Sequence, residues 1–130
     1  MVLIDSRHPR FTRACLECQL DGCRLPLAMR LLLPSHVLRE YEDAQPGRMP
    51  AAMGDIPLAV LSRSSSGEDV SAQWMALWSE MQLGLSELSS RSRYRVAENS
   101  GHYIHRDQPE EVLQAVAWVM DQADSARPVE

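Results

Sequence analysis

The sequence predicts an α/β fold with about three parallel strands and flanking helices. Three short apolar runs of strand type occur, at residues 1–4, 56–61 and 94–98. Helical patterns fill the intervals between them, and a closing helical pattern follows the third. Alternation of this kind favours a parallel sheet, because a parallel neighbour is reached only through a long crossover connection.

Residues 1–4, Met-Val-Leu-Ile, make the first strand, stopped by Asp5 and Ser6. His8-Pro9-Arg10 forms a loop, and residues 11–20 read as a helix with Gly22 as its stop. Residues 25–42 carry Leu27, Leu31 and Leu38 and read as one or two helices split at Pro34-Ser35, where Ser35 suits an N-cap. Residues 45–57 hold Pro46, Gly47, Pro50, Gly54 and Pro57 and form a loop. The second strand, residues 56–61, reads Ile-Pro-Leu-Ala-Val-Leu, and a serine-rich turn over 63–67 follows.

The strongest helical signal spans residues 70–88. Trp74, Leu77, Trp78, Met81, Leu85 and Leu88 recur at steps of three and four, which predicts a core-facing stripe. Residues 94–98, Tyr-Arg-Val-Ala-Glu, make the third strand. Pro109 opens the last helix, at a position where its missing N–H costs nothing. Val112, Val116, Val119, Met120 and Ala123 are expected on its inner face, and the polar tail 124–130 is expected to be flexible. No internal repeat is present, so the 130 residues read as one domain whose thin sheet leaves its first strand as an open edge.

Composition excludes several function classes. The net charge is −5 and all 13 basic residues are arginine, scattered among acids, so no footprint for nucleic acid exists. The most apolar run, 25–34, is broken by Pro26 and Arg30 and falls short of the roughly 20 residues a membrane span needs. The first residues lack the basic region and cleavage site of a secretory signal, which leaves a cytoplasmic location as the default. Cys15, Cys18 and Cys23 are too few for a closed structural metal site, and their odd number does not make a disulfide framework. Free thiols on a helix are the expectation. A cysteine-based metal or redox protein is the weakest reading, and neither metal nor cofactor is implied.

The chemistry concentrates in one segment, Ser100-Gly101-His102-Tyr103-Ile104-His105-Arg106-Asp107-Gln108-Pro109-Glu110. A strand, a Gly-His turn and a proline-started helix in succession resemble the histidine loop of the α/β-hydrolase superfamily. The resemblance covers nearly the whole chain: residues 1–4, 56–61 and 94–98 correspond to its sixth, seventh and eighth strands. A partial α/β-hydrolase fold is what the resemblance implies. No Gly-x-Ser-x-Gly elbow occurs anywhere in the sequence, so the nucleophile of that family is missing.

By this resemblance His102 is the catalytic base and His105 a bystander. The acid is Asp5, after the first strand, or Asp69, after the second, with Glu68 a further candidate; as plain structural residues, Asp5 would end a strand and Asp69 would cap a helix. The implied function is that of an ester or related acyl hydrolase fragment, acting on a small-molecule ester when intact and inactive alone. Residues 11–43 would form a lid-like helical insertion. The alternative is a non-catalytic interaction module, or one subunit of a split hydrolase, pairing with an N-terminal half or with itself.

Overall fold

The computed structural model describes residues 1–42, 52–64 and 70–126. Three strands, β1 (Val2–Ile4), β2 (Leu58–Arg63) and β3 (Ser92–Ala97), form one sheet in the order β1-β2-β3, and both pairings are parallel. Among the described residues six helices accompany them: α1 (Phe11–Glu17), α2 (Leu27–Leu32), α3 (Ser35–Glu42), α4 (Ala72–Ser86), α5 (Ile104–Asp107) and α6 (Pro109–Ser125). The chain is therefore α/β with a three-stranded parallel sheet.

All six residues of β2 are buried, as expected of a central strand covered on both faces. Alternation along the strand divides the core. Ala59 and Leu61 face Ala97, Ile104 and Ala115, with Val2, Ile4, Val112 and Trp118 packed alongside. Leu58 and Val60 face Leu85 and Leu88, with Leu3 and Tyr94 alongside. One face thus rests on α6 and the other on α4. A third cluster joins Phe11, Cys15 and Cys23 to Trp74 and Trp78, the two indoles stacked 5.1 Å apart with Phe11 edge-on to both.

Several boundaries differ from the sequence reading. β2 runs on through Ser62 and Arg63, both buried, so the serine-rich turn starts later than expected. Helix α1 ends at Glu17, not at residue 20. Gln19, at φ 55°, lets the Gln19 and Leu20 amides donate to the Leu16 and Cys15 carbonyls, which closes the helix before Gly22 is reached. Phe11, Thr12 and Cys15 are buried, so α1 belongs to the core, and Cys23 and Leu20 of the lid-like stretch join it. The cap of α4 is Ser71, whose hydroxyl accepts from the Trp74 amide; Asp69, read as its cap, lies outside the described residues. On α6 the inner face is Val112, Ala115, Trp118 and Val119; Val116, Met120 and Ala123 point outward, because the buried stripe runs one residue before them. The helix also continues through Asp124 and Ser125, at the start of the expected flexible tail, while residues 127–130 lie outside the described residues.

The cysteine expectation is corrected. Cys15 and Cys23 form a disulfide, and Cys18 alone is free and exposed. Spacing alone did not show it because the pairing depends on two backbone reversals, at Gln19 and at Gly22 with φ 74°, which fold the chain back over α1. Arg7 fixes the same turn, donating to Thr12 Oγ1 at 2.7 Å and to the Cys23 carbonyl at 2.9 Å. Such a bond is sustained in oxidising compartments, and cytosolic reductants keep most of its kind open. No group of three or more metal-binding side chains occurs among the described residues, and no helix of theirs is long and apolar enough to cross a membrane.

The disulfide closes a small loop, with a sequence separation of 8, over a cluster that holds Phe11 and both tryptophans. Its removal is expected to cost about 2–3 kcal/mol on loop-entropy grounds. Thermal melting with and without a reductant would show that loss as a lowered midpoint. Thiol titration should count one reactive sulfur in the oxidised chain; three without reductant would refute the pairing.

Candidate functional site

Asp5 stands at the end of β1, where φ is 42° and the backbone leaves the strand. A positive φ is uncommon outside glycine, and aspartate is one of the few side chains that tolerate it. The turn carries the Asp5 carboxylate under the C-terminal edge of the sheet, where it is 1% exposed. A buried charge of this kind must be fully paired.

Four donors meet it. Oδ1 accepts from Trp78 Nε1 at 2.7 Å and from the Arg63 amide at 3.3 Å. Oδ2 pairs with Arg63 Nε at 2.8 Å and with His102 Nδ1 at 2.7 Å. A carboxylate offers about four lone-pair sites, and all of them are used here. Arg63 is itself buried, with its guanidinium 4.8 Å from the Trp78 ring centroid and 5.4 Å from that of Trp74. Cation–π attraction therefore supports the guanidinium that pairs with Asp5.

His102 follows β3 in a loop held from two sides. The Ser64 amide donates to the Ser100 carbonyl at 3.3 Å, which ties the loop after β2 to the loop after β3. The Gly101 amide donates to Asp107 Oδ2 at 3.0 Å, so a residue of the short helix α5 braces the Gly-His turn. The Asp5 carboxylate only accepts, hence His102 donates to it from Nδ1, and in the neutral imidazole Nε2 is then the acceptor. The His102 side chain is 47% exposed, on the open side of an otherwise buried network. Chemically the arrangement is a base whose tautomer and orientation are fixed by a carboxylate.

Of the candidates read from the sequence, the structure brings His102 and Asp5 together. Asp69 and Glu68 lie outside the described residues. His105 is exposed, 6.1 Å from the Tyr103 ring between centroids, and is not among the partners of Asp5. Sequence reasoning missed Arg63 and Trp78. Trp78 was assigned to the apolar stripe, yet its indole N–H needs a partner once buried, and that need was the available signal. Nothing local marked Arg63, since its role depends on the strand end lying beside Asp5.

Compared with family models, with curated proteins and with solved structures, the chain shows no match in any of the three.

The pairing makes a stability prediction. Replacing Asp5 by Asn would remove one counter-charge from the buried Arg63, and breaking a buried pair from one side costs about 3–5 kcal/mol. Replacing Trp78 by Phe would orphan one carboxylate site, at about 1–3 kcal/mol. His102→Asn, on a half-exposed side chain, should change little. Urea denaturation of the three variants would test the ranking; an Asp5→Asn variant as stable as the parent would show that the network does not hold the fold.

Proposed function

We propose that the chain is the C-terminal part of an α/β-hydrolase-type enzyme that acts on a small ester or related acyl substrate. His102 is its base and Asp5 the acid that orients the base, while the serine nucleophile comes from polypeptide outside these 130 residues. The observation that carries the reading is the 2.7 Å contact between Asp5 and His102, made by loops at the C-terminal ends of β1 and β3 with β2 between them. Ligand and catalytic sites of open parallel sheets gather at that end.

In the complete site a serine hydroxyl would give its proton to His102 Nε2 as its oxygen attacks the acyl carbon. The imidazolium so formed lies against Asp5, then returns the proton to the departing alcohol. Water repeats the sequence to release the acid. The 130 residues alone hold no Gly-x-Ser-x-Gly elbow, so turnover is not expected of them.

The test has two arms. The purified chain should neither cleave p-nitrophenyl esters nor react with a fluorophosphonate probe. The coding DNA preceding Met1 should encode a Gly-x-Ser-x-Gly segment, and a product joined to it should hydrolyse the ester and lose at least 10³-fold of that rate, roughly, on His102→Ala. Stoichiometric labelling of the chain alone, or an active joined product indifferent to His102, would overturn the reading.

A second reading is favoured by one observation. Among the described residues β1 pairs with β2 alone, and large apolar side chains stand in solvent on α2 and α6: Leu31 at 77%, Leu32 at 83%, Leu113 at 68% and Met120 at 61%. An open edge and apolar helix faces suit association with an N-terminal half or a second copy. Sedimentation should then show a species larger than 14.6 kDa, or ANS should bind strongly. A sharp two-state melt from a clean monomer would count against it.

A further inference from the structure

The loop that leaves Asp5 runs along α4 and makes a second polar contact zone farther down that helix. Asp5 meets Trp78, the Ser6 carbonyl accepts from Gln82 Nε2, and His8 lies beside Gly84. From Trp78 to Gly84 is six residues, or about 9 Å along the helix axis. There a cleft of about 410 Å³ opens, lined by His8, Arg10, Glu80, Met81, Leu83, Gly84 and Glu87. The volume lies in the range of small-molecule pockets, about 300–1,000 Å³.

His8 is unusual in this cleft. It is 6% exposed, and its Nδ1 accepts from the Arg10 amide at 3.1 Å. That bond places the ring proton on Nε2, and no described residue accepts from it. A methyl group built on Gly84 would lie 3.9 Å from this Nε2, so the bare glycine keeps the space in front of the donor open. Burial, with the nearby Arg10 charge adding to it, holds His8 below the usual histidine range, which keeps the ring neutral. The charged side chains around it are uncommitted: Arg10, Glu80 and Glu87 make no ion pair with described residues. Glu80 and Glu87 flank Gly84 on the same side of α4, about 6 Å and 4.5 Å away along the axis.

We propose that the cleft beside His8 is a binding site for a basic amino acid. Its carboxylate is held by His8 Nε2–H and Arg10, its side-chain cation by Glu80 or Glu87, and its methylenes lie on Met81 and Leu83. A neutral buried donor beside a guanidinium suits a carboxylate, since the guanidinium only donates and the imidazole's one acceptor, Nδ1, is already taken by the Arg10 amide. The two glutamates select for positive charge at the other end of the ligand. The site is independent of the hydrolase reading, because it uses neither His102 nor Asp5.

Titration of the full chain with L-lysine, followed by the ring resonances of the four histidines, tests this directly. The expected result is a saturable shift at His8, with acetate and butylamine each at least tenfold weaker. Glu80→Gln combined with Glu87→Gln should weaken lysine at least tenfold without altering the melt, since both side chains are exposed. Gly84→Ala, a favourable change inside a helix, should weaken lysine while leaving the chain folded. An unmoved His8 signal at millimolar lysine would overturn the proposal, as would shifts that survive both sets of variants. A response confined to His102 would also overturn it, and would place the ligand at the other site.

Discussion

Everything at the C-terminal edge of the sheet depends on one buried carboxylate. Asp5 carries a full charge into a region nearly closed to water, and the cost of doing so is offset only by donors placed around it. Those donors come from three other parts of the chain: the end of β2, the middle of α4 and the loop after β3. In the sheet order β1-β2-β3, Arg63 at the end of β2 and His102 after β3 both reach Asp5 Oδ2. Residues that might be sorted into core and site are here the same residues.

The aromatic cluster shows how the two are joined. Phe11 and Trp74 enclose Trp78 on one side, while Arg63 covers the indole faces and Trp78 turns its N–H toward Asp5. Its apolar surface therefore contributes to burial and its one polar atom to charge pairing. The disulfide between Cys15 and Cys23 secures the outer wall of this cluster, with Arg7 bridging the wall to the start of α1.

Much of the α/β pattern was legible in the sequence because apolar runs and their periods report it directly. The three strands were found within two residues of their ends, except that β2 was stopped short of Ser62 and Arg63, whose polar side chains hide a buried position. A resemblance pointed to His102 beside an acid, and among the described residues Asp5 is in contact with it, while Asp69 and Glu68 lie outside them. The disulfide, Arg63 and the uncommitted donor of His8 were not legible. Each depends on where a distant backbone segment lies, and neither periodicity nor spacing carries that information. The inner face of α6 was misread by one residue for a simpler reason: valines and alanines on both sides of the helix leave the stripe ambiguous.

The partners of Asp5 also set an order of events. Arg63, Trp78 and His102 lie 58, 73 and 97 residues beyond it. Contacts so remote in sequence close large loops and slow a folding reaction. On a ribosome adding about 5–20 residues per second, Asp5 waits roughly 5–20 s before His102 has even been made. Arg63 and Trp78 are made earlier in that interval, so the imidazole is the last of the donors to arrive. A chain stalled or cut before the last strand and helix would therefore leave this carboxylate without one of its four donors.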